Sequence, residues 1–349
     1  METNFWREKS KPLIGLSPMD GVTDAAFRYI TDKYGKPDIL FTEFTSVEGL
    51  ARGAAQLLTA FIHHKTDTPT VAQVFGATPQ DFYKAAFIVA EMGFDGIDIN
   101  MGCPDKNVAK KGGGAGLIRT PHLAQEIVTQ TKQAVKEWFE GRKIEDIGIT
   151  DDLLKGIKDF QTRFDFHPTT QLLPVSVKTR IGYDDIITEE WTKYLLETNP
   201  VAISIHGRTL KQLYSGLASW EEIGKAAQII KKTDTLVLGN GDIKSLPDAQ
   251  KKIKSYSLDG VLIGRATFGN PWLFKNEFPD ISTKLAVAIE HAYVFQKLTP
   301  SAHFLSLRKH LAWYCRGFDN ASDLRSQLIR VNSPEEVENI INSFLGNNL

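Results

Sequence analysis

The sequence predicts an α/β fold, a (β/α)8 barrel followed by a small C-terminal bundle of helices, and three observations lead to this fold class. Eight short apolar segments alternate with longer amphipathic segments, which is the pattern of a parallel sheet covered by helices. A count of eight such strands predicts closure into a barrel. From residue 284 onward, helical patterns continue without strand signals. The length of 349 residues corresponds to about two domains.

The predicted strands are short β-branched or apolar runs, at residues 13–16, 39–44, 70–75, 96–100, 175–179, 202–206, 236–239 and 260–263. The predicted barrel helices lie between them, at residues 23–33, 79–91, 121–138, 189–198, 219–231 and 247–254. A doubly wound open sheet is the alternative, and it would place a GxGxxG loop after the first strand. The first strand is instead followed by Ser17-Pro18-Met19-Asp20. The barrel is therefore favoured.

Two domains are predicted, a barrel over residues 1–278 and a helical domain over residues 279–349. In the second domain helices are expected at residues 301–314 and 334–345, the latter introduced by Ser333-Pro334 and two glutamates, which are favourable at a helix start. One crossover, from residue 121 to residue 173, is much longer than the others. Its residues 140–172, which are mixed in charge, predict an inserted helical segment.

The composition predicts a soluble globular protein, with 42% hydrophobic and 24% charged residues, and excludes disordered, collagen-like and coiled-coil chains. The two cysteines cannot form a disulfide framework or a cysteine-rich zinc site, and no metal site is predicted. The polar N-terminus does not have the pattern of a signal peptide. No apolar run approaches the roughly 18–20 residues of a membrane span. We therefore expect a cytoplasmic protein.

The charge balance alone argues against a nucleic-acid partner, because 41 lysines and arginines oppose 42 acidic residues and leave a net charge of −1. Two local patches point the other way. Residues 105–119 hold four cationic residues and one acidic residue, and residues 297–330 hold six cationic residues and two acidic ones. The six are Lys297, Arg308, Lys309, Arg316, Arg325 and Arg330. Such patches are either RNA-binding surfaces or ordinary solvated faces.

Polar side chains collect where the predicted strands end, which is the edge of a barrel that carries the active site. They include Asp20, Glu43, Gln73, Asn100, Cys103, Lys178, Arg180, His206, Asn240 and Arg265. A purely structural protein has no need for this arrangement. The sequence therefore predicts an enzyme with its site at the C-terminal ends of the strands.

The loops after the seventh and eighth strands predict a phosphate site, because barrels commonly bind phosphate there. These loops read Gly239-Asn240-Gly241-Asp242 and Gly264-Arg265-Ala266. One glycine loop alone would indicate only a tight turn, but two in the expected places favour a bound phosphate. Lys178 either stabilises the negative charge of a reduced flavin or forms an ion pair in the barrel, for example with Glu43.

Cys103 has two interpretations. A cysteine is often a small buried apolar residue, which is the interpretation we adopt for Cys315. Cys103, however, lies between Gly102 and Pro104 and is followed by lysines and glycines. This predicts a flexible, cationic and partly exposed loop, which suits a reactive thiol or a proton donor.

Over residues 13–274 these motifs resemble those of the tRNA-dihydrouridine synthases, FMN-dependent TIM-barrel enzymes that reduce uridines in tRNA. The most specific are Asn100-Met-Gly-Cys-Pro104 and His206-Gly-Arg-Thr209. Others are residues 17–28, the glycine stretch at 111–116, Val177-Lys-Thr-Arg180, Gly239-Asn-Gly-Asp242 and Ile263-Gly-Arg-Ala266. Residues 308–314 resemble the C-terminal domain of bacterial B-type members.

The resemblance implies a role for each matching residue. FMN would be held by Pro18, Met19, Gln73, Lys178, His206, Asn240, Gly241, Asp242, Gly264 and Arg265. Asn100, Arg180 and Tyr214 would position the uracil. NADPH or NADH would reduce FMN, hydride would pass to C6, and Cys103 would protonate C5. The chain departs from the family at Ser17, where alanine is usual, and in the insertion at 140–172.

The resemblance also implies partners. A tRNA would be held by the helical domain with a D-loop uridine in the site, and the protein would act as a monomer. Two other functions stay open at this stage. One is an FMN-dependent reductase of a free pyrimidine, similar to dihydroorotate or dihydropyrimidine dehydrogenase. The other is a tRNA-binding module without catalytic activity.

Overall fold

A computed structural model describes residues 4–63, 66–213, 215–299 and 302–348. Its centre is one sheet of eight parallel strands in the order β1-β8-β7-β6-β5-β4-β3-β2. The strands are β1 (Leu13–Leu16), β2 (Leu40–Ser46), β3 (Thr70–Phe75), β4 (Gly96–Met101), β5 (Val175–Arg180), β6 (Ala202–His206), β7 (Leu236–Asn240) and β8 (Gly260–Ile263). The predicted strands are therefore confirmed, with bounds that differ by two residues or fewer.

The sheet curls so that its first and last strands approach each other. β1 pairs in parallel with β8. On its other side, the N–H of Leu16 donates to the carbonyl of Ile39 at 2.9 Å, and the N–H of Asp38 donates to the carbonyl of Ile14 at 3.0 Å. Ile39 leads directly into β2. These bonds join the two ends of the sheet, and the predicted barrel is confirmed in preference to the open sheet.

Helices surround the sheet and continue beyond it. They are α1 (Phe5–Glu8), α2 (Ala25–Gly35), α3 (Val47–Ala51), α4 (Pro79–Glu91), α5 (Lys106–Lys110), α6 (Pro121–Phe139), α7 (Asp151–Phe164), α8 (Thr188–Leu196), α9 (Trp220–Ile230), α10 (Leu246–Tyr256), α11 (Ile281–Leu298), α12 (Arg308–Tyr314), α13 (Ala321–Leu328) and α14 (Pro334–Asn348). Short 3-10 helices occupy Ala55–Phe61, Gly114–Arg119, Ile144–Ile147, Arg265–Thr267, Pro271–Lys275 and Phe304–Ser306.

Several helices begin at residues whose side chains accept a free backbone N–H, as is common at helix starts. Asp24 accepts the N–H of Phe27 at 2.8 Å, and Asp280 accepts that of Thr283 at 2.7 Å. The continuous helix predicted at 301–314 is wrong in its first half. Residue 301 lies outside the described residues, and a 3-10 turn followed by α12 takes the place of one long helix.

The long crossover between β4 and β5 contains the predicted helical insertion. Residues 144–147 form a 3-10 helix and α7 follows. Leu153 and Ile157 of α7 are buried in the main apolar core. After α7 the ring of Phe166 stacks on His63, with 4.1 Å between ring centroids and 6° between ring planes. The insertion is thus packed against the barrel.

The helices after the barrel pack mainly on α2. Ala26 and Ile30 of α2 share one apolar cluster with Trp272 and with buried residues of α11 to α14. At the edge of this contact Glu290 of α11 accepts hydrogen bonds of 2.6 Å from both Lys33 and Tyr34. This cluster contains residues from both sides of the predicted boundary. The division into domains 1–278 and 279–349 stays a prediction. No helix in the described part of the chain is long and apolar enough to cross a membrane.

Candidate active site

A chain of buried hydrogen bonds joins β3, β4 and β5 inside the barrel. Asp98 accepts one bond from the Ser176 hydroxyl at 2.6 Å and another from Nε2 of Gln73 at 2.7 Å. The Gln73 carbonyl oxygen Oε1 then accepts a bond of 3.0 Å from Nδ2 of Asn100. Burial raises the pKa of Asp98 to about 6, against the opposing effect of these two donors and of Lys178. The network fixes the orientation of both amide side chains.

Asn100 in turn shapes the loop that carries Cys103. Its oxygen Oδ1 accepts the backbone N–H of Gly102 at 2.9 Å and that of Cys103 at 2.8 Å. One of the two hydrogens on Nδ2 is used by Gln73, and the other remains for a further acceptor. Asn100 therefore connects the strand network to the position of the thiol.

Cys103 is only 5% exposed, so the prediction of a partly exposed thiol is wrong. The 3-10 helix Gly114–Arg119 folds back over it, and the N–H of Ala115 donates to the Cys103 carbonyl at 3.2 Å. The cationic residues of this loop are exposed, as predicted: Lys106, Lys110, Lys111 and Arg119. The glycine stretch thus covers the thiol while the lysines face outward.

The surroundings of Cys103 favour the neutral thiol. Burial raises the pKa of the thiol, and the carboxylates of Asp105 and Asp20 add to this effect. A backbone N–H of Asp105 and the charge of Arg180 act in the opposite direction. A group held in its protonated form is suited to giving a proton to a substrate. It is poorly suited to nucleophilic attack, which needs the thiolate.

Lys178 is a partly buried cation on β5. Burial, assisted by the charge of Arg180, lowers the pKa of its amine to about 8. Among the ion pairs of the described residues none involves Lys178, so the alternative pairing with Glu43 is wrong. Glu43 interacts instead with Arg28, and burial raises the pKa of its carboxyl to about 7.

Arg180 and His206 lie side by side on β5 and β6. Nε of Arg180 donates to the Gly102 carbonyl at 2.7 Å, and a terminal nitrogen donates to the Thr209 carbonyl at 3.2 Å. Burial lowers the pKa of His206 to about 2, and the cations around it, led by Arg180, lower it further. His206 is therefore a neutral imidazole in a cationic environment.

The loops after β6, β7 and β8 meet at a carboxylate. Asp242 forms ion pairs of 2.7 Å with Arg208 and with Arg265, and it also accepts the N–H of Ala218 at 2.9 Å. Beside it, Gly241 has a φ of +123°, and a Cβ at this position would approach the His206 ring within 3.0 Å. Only glycine fits this turn without strain. The backbone therefore comes unusually close to His206.

The profile of the dihydrouridine synthase (Dus) family matches residues 15–157 and 150–348 of this chain. The chain belongs to the dihydrouridine synthase family. It is 34% identical over 354 residues to a probable tRNA-dihydrouridine synthase of Staphylococcus epidermidis, covering 99% of this chain and 97% of the relative. It is 33% identical over 356 residues to probable tRNA-dihydrouridine synthase 2 of Bacillus subtilis, with the same coverage. The structure of DHODH from Eimeria tenella in complex with ferulenol aligns over 82% of both chains, with 13% identity and a TM-score of 0.49.

The structure of this dihydrouridine synthase brings most of the predicted site residues to one end of the barrel. Around the mouth lie Pro18, Met19, Gln73, Asn100, Cys103, Lys178, Arg180, His206, Asn240, Gly241, Asp242, Gly264 and Arg265. A Cβ on Gly264 would lie 3.2 Å from the Met19 sulfur, and Nδ2 of Asn240 donates to the Leu262 carbonyl at 2.8 Å. Tyr214 lies outside the described residues.

Sequence reasoning missed residues that hold the others in place. Asp98 orients Gln73, and Arg208, which is 3% exposed, pairs with Asp242. Arg208 stood inside the motif His206-Gly-Arg-Thr209, and Asp98 stood two residues before the motif that begins at Asn100. Their position beside predicted ligands on inward-facing strand ends was the available signal. Lys309 of α12 was counted only as one of several surface cations, although its Nζ lies against Gly21 at the barrel mouth.

Proposed function

We propose that this chain is a tRNA-dihydrouridine synthase, which uses FMN and NADPH or NADH to reduce the C5–C6 double bond of a uridine in tRNA. The observation that carries the proposal is the neutral thiol of Cys103, held by Asn100 beside the cations Lys178 and Arg180. The names of the curated relatives support tRNA as the substrate.

The side chains at the barrel mouth are chemically suited to a flavin mononucleotide. Lys178 is a partly buried cation that would be stabilised by an anionic ring system, and His206 is a neutral donor beside it. The backbone turn at Gly241 and the exposed guanidinium of Arg265 suit a phosphate group. Pro18, Met19, Gln73, Asn240, Asp242 and Gly264 complete the proposed set. When bound, the flavin supplies the hydride that adds to C6 of the uracil.

In this proposal the chain itself orients the uracil and delivers the proton. The second Nδ2 hydrogen of Asn100 and the guanidinium of Arg180 would hold the polar edges of the ring, with Tyr214 as a third contact. The Cys103 Sγ–H would donate its proton to C5. Because burial raises the pKa of this thiol, the proton is available throughout the neutral range. Water regenerates the thiol after the product leaves.

The RNA partner explains the exposed cations around this mouth. A uridine in folded tRNA must leave its stack to reach a barrel interior, at a cost of a few kcal/mol. Lys106, Lys110 and Lys111 are exposed beside Cys103, and Lys309 is exposed on α12. Their charges would attract the phosphate backbone. We further propose that the uridine lies in the D-loop and that the protein acts as a cytoplasmic monomer.

The test compares wild-type protein with Cys103→Ala under single-turnover conditions, with flavin loaded and unmodified tRNA as substrate. The wild-type protein should form dihydrouridine, and the variant should bind flavin and oxidise NADPH normally while tRNA reduction falls by at least about 100-fold, the range of a lost general acid. Equal dihydrouridine formation by the variant contradicts the role of Cys103. Reduction of free uracil or orotate, with none of tRNA, assigns the protein to a free-pyrimidine reductase instead. Mapping of dihydrouridine in tRNA from cells with and without the protein identifies which uridine is reduced.

A further inference from the structure

Helix α12 of the C-terminal helices contacts two loops of the barrel mouth at once. On one side, the ring of Trp313 stacks on Phe268, with 3.9 Å between ring centroids and 10° between ring planes. Phe268 closes the 3-10 turn that begins at Arg265, where its N–H donates to the Arg265 carbonyl at 3.2 Å. Trp313 is thus attached to the loop after β8.

The backbones are close at the same place. Gly269, with a φ of +66°, faces the Trp313 carbonyl so closely that any side chain there would collide with it. A contact between two backbones cannot relax by changing a rotamer. The position of α12 therefore restricts the loop that contains Gly264 and Arg265.

On its other side, α12 meets the loop after β1. Trp313 and Phe268 pack with Met19, Val22 and Phe27 in one apolar cluster. His310 lies edge-on to the ring of Phe27, with 5.4 Å between centroids, and its ring lies 4.8 Å from that of Trp313. Met19 lies in the loop between β1 and α2, and Phe27 lies in the first turn of α2.

His310 acts here as a packing residue. Its ring is 1% exposed, and the backbone of Gly21, in the loop after β1, lies close enough to interact with it. Burial lowers the pKa of His310 to about 3, so the ring is neutral. The neutral ring fills the space between Phe27 and Trp313, where it packs as an aromatic side chain.

The C-terminal helices also contact the barrel at a second place. Ala26, Ile30 and Trp272 already bury a separate apolar cluster against α11 to α14, and Glu290 of α11 bonds to α2. The contacts of Trp313 and His310 are made with residues that border Met19 and Arg265. These two side chains therefore contact the loops that form the mouth of the barrel.

We propose that Trp313 and His310 are positioning residues for the flavin site: through them α12 holds the loops after β1 and β8 at the separation that binds flavin. The inference rests on the function proposed above. It goes further, because flavin affinity would then depend on a helix that supplies none of the proposed flavin ligands. This helix meets the loops of those ligands through Trp313 and His310.

The experiment titrates the flavin-free full-length protein with FMN and follows the quenching of flavin fluorescence. Trp313→Ala should raise the Kd for FMN by about tenfold or more, and Trp313→Phe, which keeps a ring against Phe268, should stay within about threefold of wild type. The control is Phe295→Ala in α11, which removes an aromatic side chain that is more deeply buried than Trp313 and packs on Phe304. This control should lower thermal stability and leave the Kd unchanged.

A Trp313→Ala protein that binds FMN like wild type overturns the inference, and so does an equal loss of affinity in Phe295→Ala. A second readout separates this inference from the proposed function. Hydrogen exchange on the flavin-free proteins should show faster exchange at residues 17–24 and 264–270 in Trp313→Ala than in Phe295→Ala. If wild-type protein binds no FMN, the proposed function fails, and unchanged exchange in these loops then overturns the positioning role as well.

Discussion

Asp98 accepts a hydrogen bond of 2.7 Å from Nε2 of Gln73, and this bond decides which end of the Gln73 amide faces Asn100. In Asp98→Asn the new amide can offer a hydrogen where the carboxylate accepted one. If Gln73 flips in response, its NH2 faces the Nδ2 of Asn100, and the orientation of Asn100 is lost as well. Hydrogen bonds to a buried charge contribute about 1.5–3 kcal/mol, so we expect flavin affinity to fall by roughly 10- to 100-fold.

The control for this prediction is Asp95→Asn. Asp95 stands three residues earlier and accepts the N–H of Thr70 at 2.8 Å, at the opposite end of the barrel. Fluorescence titration with FMN and urea unfolding should be measured on both variants. Asp95→Asn should lose stability with an unchanged Kd for FMN. A normal Kd in Asp98→Asn would show that the network does not orient Gln73.

The buried thiol of Cys103 should react slowly with alkylating reagents. It is 5% exposed and burial raises its pKa, so both access and thiolate content are low near pH 8. Iodoacetamide labelling, followed by mass spectrometry of the folded protein, should proceed at least about tenfold more slowly than labelling of free cysteine. Cys315, whose pKa is raised to about 11 by burial, should also be slow. Cys103→Ala assigns the labelled site.

The pH dependence of tRNA reduction follows from the same raised pKa. An acid donates only while it is protonated, and a pKa above the ordinary value keeps Cys103 protonated further into the alkaline range. The rate of the reduction step should therefore stay level through the neutral range and fall only above pH 9. Single-turnover rates on tRNA from pH 7 to pH 10 measure this. A midpoint below pH 8.5 would contradict the assignment of Cys103 as the acid.

The sequence predicted the barrel because its evidence is local. Each strand is a short apolar run with its own boundaries, and the helices begin at residues such as Pro79 and Pro121, where the structure also begins them. The site could be placed because the C-terminal ends of parallel strands meet at one edge of the barrel. This rule alone was enough to predict that Lys178, His206 and Asn240 lie close together.

Burial and pairing could not be predicted in the same way, because they depend on residues distant in sequence. Cys103 is covered by the 3-10 helix Gly114–Arg119, which turns back over it, whereas the sequence shows only flexible glycines. Asp242 is fixed by arginines 34 and 23 positions away. The sequence alone does not show whether a charged side chain forms an ion pair within the protein or is free to bind a ligand.

Removal of the Asp242 carboxylate should destabilise the fold as well as the site. Arg208 is 3% exposed and would lose its charged partner. Breaking a buried pair costs about 3–5 kcal/mol, and because Arg208 keeps a bond to the Gly216 carbonyl at 2.7 Å we expect about 2–4 kcal/mol for Asp242→Asn. Urea unfolding measures this loss. Asp184→Asn, which breaks the exposed pair with Arg119, should leave the unfolding curve nearly unchanged, and equal losses in both would contradict the prediction.

Buried neutral histidines should make the fold sensitive to acid. Burial lowers the pKa of His291 and His310 to about 3, and that of His206 to about 2, from an ordinary value of 6.5. Between these values the unfolded chain binds protons that the folded chain does not. The stabilisation is therefore complete above about pH 6.5 and is lost as the pH falls toward 3, by up to about 1.4 kcal/mol per pH unit for each histidine.

A comparison of variants isolates this effect, because the raised pKa of Glu43 changes stability in the opposite direction over part of the range. Urea unfolding of wild type and His310→Phe should be followed from pH 7 to pH 4. The unfolding free energy of the variant should fall less steeply as the pH decreases. The difference in slope should correspond to the uptake of about one proton fewer on unfolding. His167→Phe, at an exposed position, should keep the wild-type slope. Parallel curves for wild type and His310→Phe would exclude the contribution of His310.

Lys309, rather than Arg308, is the residue of α12 through which RNA binding can be tested. Arg308 donates to the carbonyls of Val331 and Arg330 at 2.8 and 2.9 Å and to Oδ1 of Asn332 at 2.8 Å, so its replacement would loosen the C-terminal helices. Lys309 is exposed beside Gly21 at the barrel mouth. Its replacement removes a charge that no described ion pair uses.

Lys309→Gln should therefore weaken tRNA binding without changing the unfolding curve or the flavin affinity. Each phosphate contact that a cation makes releases condensed counterions, so the loss of one contact should reduce the slope of log affinity against log salt by about 0.9. Binding is measured between 50 and 200 mM salt, a range in which such slopes are about linear. The control Lys143→Gln removes an exposed cation that follows α6, at the opposite end of the barrel. If both variants bind tRNA with the wild-type slope, α12 does not contact the phosphate backbone through Lys309.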